Sequence, residues 1–180
     1  MHRISSRLVA SFIVLFSAFG VANAQTDESP IQNLTLSEGS LGFCGVYLGQ
    51  PLVELESDVG AQIPLNVDEM SGTQTTGAVT ACGRHVTFNV DTETRSAASV
   101  NFIWIGRHPE DPAYLWDLAS MRSLFRSRFS GAYYFEGPYE PGLTELEDDT
   151  PQYRLEGAPN QLVVLKPEES IYLEVGDGYD

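Results

Sequence analysis

Cys82-Gly83-Arg84-His85-Val86-Thr87-Phe88-Asn89-Val90 and, past a polar connector, Ala98-Ser99-Val100-Asn101-Phe102-Ile103-Trp104-Ile105 form the stretch whose reading decides the fold. Val86, Phe88 and Val90 alternate with polar residues, and so do Ala98, Val100 and Phe102. Successive side chains of a strand point to opposite faces, so each run offers one apolar row to a core and leaves the other partly wet. The connector Asp91-Thr92-Glu93-Thr94-Arg95 is polar enough to reverse the chain, which predicts an antiparallel hairpin.

A second hairpin is expected at the C-terminal end, from Gln161-Leu162-Val163-Val164-Leu165-Lys166 through a Pro167-Glu168-Glu169 turn to Ile171-Tyr172-Leu173-Glu174-Val175. Between the hairpins, Leu115, Leu118, Met121, Phe125 and Phe129 recur at three and four residues, the stripe of a helix that covers a sheet. Asp111 is its expected N-cap, Pro112 its first residue and Gly131 its stop. A shorter helix is expected after Pro51, with Leu52, Leu55 and Val59 on one face and Gly60 ending it. Residues 43–48 read as a short strand or packed turn, 61–65 as extended, 71–77 as an exposed loop, and 133–135 and 153–155 as brief strands. The fold class is therefore α+β: an antiparallel sheet built from hairpins, packed by one long and one short helix. The order of elements suggests two small helix-plus-hairpin units sharing one sheet, although the residues of the halves do not match as a repeat.

The N-terminus reads differently. Arg3 and Arg7 precede an apolar run over 8–21, and Ala22-Asn23-Ala24 supplies the small residues of a cleavage site. Residues 1–24 are expected to be a secretory signal peptide, 25–40 a flexible lead-in, 41–176 a single α+β domain and 177–180 a tail. The apolar run is short for a bilayer span, so no stable membrane insertion is expected after cleavage, and the compartment is periplasmic or secreted. Export into an oxidising compartment makes Cys44 and Cys82, the two cysteines of the chain, a predicted disulfide.

Charge narrows the partners. The chain has 10 basic and 25 acidic side chains, a formal charge of −15, and loss of Arg3 and Arg7 with the signal takes it to about −17. Such a surface repels nucleic acid and anionic membrane. It suits solubility, in salty surroundings among others, or attraction of cations or a basic protein.

Arg122 and Arg126, four residues apart on the long helix, concentrate positive charge together with Arg128, Arg107 and His108, and could meet an anionic ligand or an acidic partner surface, or be neutralised by acids of the same domain. Tyr133, Tyr134 and Tyr139 cluster with Phe135 in a turn-rich segment; exposed, they could anchor a protein or stack on sugar, and buried, they would finish the core beside the helix. Glu54 and Asp58 could share a helical face, and 145–149 or Asp177 and Asp180 could hold calcium, but none follows a catalytic or calcium-loop spacing. His85 lies beside the expected disulfide with no nucleophile assigned to it. The chain has no Gly-x-Ser-x-Gly elbow, phosphate-cradling glycine loop, His-Glu-x-x-His helix or haem-attachment motif, so no catalytic residue, cofactor or metal ligand is assigned. The function expected is that of a non-catalytic exported protein-binding or accessory domain. The alternatives are a small periplasmic hydrolase acting on a glycan or other envelope substrate through carboxylates, and a structural acidic domain without a discrete ligand site.

Overall fold

A computed structural model describes residues 29–67, 74–91, 94–130, 132–138 and 150–176, with the backbone alone for Gln74, Asp91 and 133–138. The expected signal peptide over 1–24 and the tail over 177–180 lie outside the described residues.

Packing begins earlier than the composition suggests. Residues 25–40 were expected to be a flexible lead-in, but from Ser29 onward they belong to the fold. Pro30–Asn33 forms a 3-10 turn with Ile31 fully buried, and β1 (Leu34–Ser37) pairs with β2 (Ser40–Phe43). The physical reason is that Ile31, Leu34 and Leu41 are spaced to enter one core even though polar residues surround them. β3 (Val46–Tyr47) completes a three-stranded sheet in the order β1-β2-β3.

The second sheet has eight strands, all antiparallel to their neighbours: β4 (Leu65–Val67), β5 (Gln74–Ala81), β6 (Arg84–Asp91), β7 (Ser99–Gly106), β8 (Tyr133–Pro138), β9 (Pro151–Leu155), β10 (Ala158–Lys166) and β11 (Ser170–Val175). Their order across the sheet is β4-β5-β6-β7-β11-β10-β9-β8. Helix α1 (Leu52–Val59) precedes the first four and α2 (Leu118–Arg128) the second four, so a helix followed by a four-strand meander occurs twice. The meanders join where β7 pairs with β11.

Both expected hairpins are present, as β6–β7 and β10–β11. The expected loop over 71–77 is corrected from Gln74 onward, where β5 runs in full register with β6. Its inward row is Thr75, Gly77, Val79 and Ala81, residues too small to announce a core strand. They must be small: a Cβ at Gly77 would lie 2.5 Å from Phe88 Cζ, so the Phe88 ring occupies the space a side chain would need.

The long helix also starts later than expected. Asp117 is its N-cap, accepting from Ser120 N at 3.0 Å, and the residues before it form a 3-10 turn over Ala113–Trp116. Met121 and Phe125 are fully buried, and the Phe125 ring meets Tyr153 at a centroid distance of 4.1 Å and Phe129 at 4.8 Å. Leu118, in the first turn, is only half-buried. On α1, Leu52 and Leu55 enter the core, whereas Val59 in the last turn is exposed, and Gly60 ends the helix with φ +72°.

The small sheet lies across the same face of the large one, with Leu41 N–H donating to Gln161 Oε1 at 2.6 Å. Its two turns reach both halves. Cys44 and Cys82 form the disulfide, with Cα atoms 6.0 Å apart, and it joins two tight turns of the same kind. In each, Cys-Gly occupies the centre of a two-residue hairpin loop with positive φ at both positions: Cys44 +49° and Gly45 +90°, Cys82 +48° and Gly83 +73°. Such loops match the twist of the flanking strands, and Asn or Asp usually stands where these cysteines do. The other turn, Glu38-Gly39, abuts the β9–β10 turn, where a Cβ at Gly157 would lie 2.7 Å from Leu36 Cδ2.

Two stability measurements test this account. Phe125→Ala should cost about 3–5 kcal/mol in urea unfolding, and Leu118→Ala clearly less; equal losses would contradict the burial difference. Replacing both cysteines by alanine should cost about 4 kcal/mol, the loop-closure value for a separation of 38 residues. Glycine at both positions should be about 1 kcal/mol better than alanine, because a Cβ is disfavoured at positive φ.

Candidate functional site

Strand β7 carries the candidate site because its two halves are out of phase. Val90 of β6 stands opposite Val100, but Asn89 stands opposite Phe102, so Asn101 is an extra residue in β7. A bulge of this kind re-aims the side chains beyond it. On one side of it Ala98 and Val100 are buried inward; on the other the inward row is Ile103 and Ile105, both fully buried. The expected row of Ala98, Val100 and Phe102 therefore breaks at Asn101, and Phe102 and Trp104 turn to the opposite face.

That face lies away from the helices and the small sheet. Tyr172 of β11 stands opposite Trp104 and Glu174 opposite Phe102. On β10, Val164 stands opposite Tyr172 and Leu162 opposite Glu174; on β6, Thr87 stands opposite Trp104. Trp104 is 40% exposed, while Phe102 and Tyr172 are half-buried, their rings 5.5 Å apart and inclined at 35°. The indole extends along its strand over Gly106, where a Cβ would lie 3.6 Å from Trp104 Cζ2. Leu162 and Val164 are buried on this face, apart from the main core cluster.

Polar groups surround the aromatic centre. Thr76 Oγ1 donates to Asn89 Oδ1 at 3.2 Å, Arg154 donates to the Pro159 carbonyl at 3.3 Å, and Lys166 pairs with Glu169 at 2.5 Å. Ser170 is fully buried opposite Gly106, and its hydroxyl has no hydrogen-bond partner among the described residues. The same holds for Asn101 Oδ1 in the bulge.

The residues singled out from the sequence are placed elsewhere. Arg122 and Arg126 are on α2, on the helical side of the sheet, the first partly buried and the second exposed. Tyr133 and Tyr134 lie on β8, where only the backbone is described, and Tyr139 lies outside the described residues. Arg128 donates to the Leu34 carbonyl at 3.2 Å and Arg107 to the Asp111 carbonyl at 3.2 Å, so these two arginines hold the fold. His85 is exposed at the start of β6. Glu54 and Asp58 are exposed on α1, and Asp58 accepts from Gln50 Nε2 at 3.0 Å. The acidic stretches 145–149 and 177–180 lie outside the described residues, and among the described residues no group of His, Cys, Asp and Glu is placed to hold a metal. Sequence reasoning missed Phe102, Trp104 and Tyr172. The signal was Phe102-Ile103-Trp104-Ile105, an unbroken apolar run that puts apolar side chains on both faces of a strand.

A second constellation sits at the end of the sheet. Asp111, expected as a helix cap, instead accepts both guanidinium nitrogens of Arg84, at 2.6 and 2.9 Å, with both side chains nearly buried. It also accepts from His108 N at 2.9 Å and Trp116 Nε1 at 3.2 Å, and the Arg84 guanidinium lies 5.9 Å from the Trp116 ring centroid. Burial pushes the Asp111 carboxyl upward, but the Arg84 hydrogen bonds and charge, with the His108 and Trp116 donors, outweigh it and hold the group below its ordinary 3.8. Glu56 is likewise lowered, by its hydrogen bond from Arg95 and by the Ile63 N–H, against burial. Both carboxyls are thus held ionised beside an arginine, the opposite of the raised carboxyl a general acid needs.

Compared with known proteins, the chain matches no family model, no curated sequence and no solved structure. Among the described residues no helix is long and apolar enough to cross a membrane.

The Asp111 pairing sets an acid limit. A carboxyl lowered on folding contributes stability that is complete above its unfolded value, near 3.8, and is lost as pH falls through the folded value. Unfolding free energy should therefore fall more steeply below about pH 4 in the parent than in Asp111→Asn. Parallel profiles for the two proteins would show that Arg84 does not hold Asp111 ionised.

Proposed function

We propose that this chain is an exported, non-catalytic binding domain that engages a protein partner on the outer face of its eight-stranded sheet, around Trp104, Phe102 and Tyr172. The observation that carries this reading is the bulge at Asn101, which turns two large aromatic side chains away from the core. Aromatic side chains bring large contact area at little entropic cost, and partly desolvated ones near the centre of a surface are the common anchors of protein interfaces. Leu162 and Val164 stand beside the cluster on the same face and extend its apolar surface toward β10. Export is supported by the basic, apolar and small-residue order of residues 1–24 and by the disulfide. Asp111 and Glu56, lowered by their arginine partners, are held in ion pairs and are unsuited to donate a proton.

A photoreactive residue at position 104 in the native host should give a discrete protein adduct, and one at Val53, exposed on α1 across the sheet, should not. The pair Trp104→Ala and Tyr172→Ala should lose that partner by about 2 kcal/mol or more while remaining folded by circular dichroism at the assay temperature. Equal adducts from both positions, or a double variant that binds normally, would overturn the proposal.

A further inference from the structure

We infer that the outer face around Trp104 docks a cationic protein segment that presents apolar side chains to the aromatic cluster; this rests on the reading of that face as the binding surface. The first reason is charge. The whole chain carries −15, and the two cations on the same face of β9 and β10 already have partners, Lys166 with Glu169 at 2.5 Å and Arg154 with the Pro159 carbonyl at 3.3 Å. A cationic partner is steered to such a molecule and gains at the rim, whereas a second copy brings another −15. The second reason is shape. A sugar chain stacks on open rings set side by side, but Phe102 and Tyr172 touch each other at 5.5 Å and are inclined at 35°. Flanked by Trp104, they form a compact anchor that suits apolar side chains of a polypeptide.

The chain's two tryptophans make the test direct, because Trp116 is fully buried and Trp104 is exposed, so acrylamide quenching reports on Trp104. The oxidised protein would be titrated with an alternating Lys/Leu peptide, a Glu/Leu counterpart and an uncharged chitin oligosaccharide, with calorimetry in parallel. The Lys/Leu peptide should protect Trp104, with affinity falling by about tenfold as salt is raised from low to high. Combined Trp104→Ala and Tyr172→Ala replacement should weaken that peptide by about tenfold or more. Equal or better protection by the Glu/Leu peptide overturns the charge inference while leaving the face as a binding surface, and so does protection by the oligosaccharide alone. Protection that grows with protein concentration alone makes a second copy the occupant and overturns the inference. No protection by any of the three overturns it as well. Lys/Leu binding that the double variant does not weaken places the peptide elsewhere and removes both the inference and the reading beneath it.

Discussion

Five registered residue pairs between β7 and β11, from Gly106–Ser170 to Phe102–Glu174, hold the two halves of the molecule in one sheet. The inward pairs, Ile105–Ile171 and Ile103–Leu173, are fully buried. Burial of four such aliphatic side chains contributes on the order of 1.5–3 kcal/mol each, which is comparable to the net stability of an ordinary domain. Losing this seam would leave two four-stranded meanders, each with half a core. The same register fixes the outer face, since Tyr172 stands opposite Trp104 only because Ile171 stands opposite Ile105.

The small sheet acts as a strap across that seam. Its Cys44-Gly45 turn is bonded to the first meander through Cys82, and its Glu38-Gly39 turn packs against Gly157 in the second. The strap also fills the core from above, with Ile31, Leu34, Leu41 and Phe43 fully buried in the same continuous cluster as the inward rows of β6, β7 and β11. A covalent bond at one end removes closure entropy from the unfolded chain, while apolar packing secures the other. At the first end, Arg84 immediately follows the Cys82-Gly83 turn and anchors it to Asp111. Two cross-links of different chemistry thus converge on one hairpin.

How much of this was legible follows from what each residue type signals locally. The β10–β11 hairpin was plain because apolar residues crowd both strands around a polar turn. The disulfide was plain because two cysteines allow one bridge. β5 was hidden because its inward residues are threonine, glycine and alanine, chosen by the bulk of Phe88 on the neighbouring strand. The tight turns were hidden because cysteine rarely takes positive φ, although Cys-Gly occurs at both. Asp111 was misread because Asp-Pro before an apolar stripe signals a helix start, and only the fold brings Arg84 beside it. The run Phe102-Ile103-Trp104-Ile105 marked a strand with apolar side chains on both faces, but which pair turns outward depended on a register shift that the run itself does not reveal.

The bulge decides which of two apolar rows becomes core. In residues 102–105 the aromatic pair and the isoleucine pair alternate, so moving the register by one residue exchanges them. The inward positions face Phe88 and Leu173, which stand opposite Ile103, and Val86 and Ile171, which stand opposite Ile105. Interiors packed to crystal density accept an isoleucine there and resist an indole. Asn101 absorbs the change of phase, leaving Asn101 Oδ1 buried without a partner among the described residues, a local cost set against the isoleucines that the shift brings into the core. The outward aromatics follow from the same register that keeps the isoleucines dry, so the proposed binding surface and the core are two sides of one choice of phase.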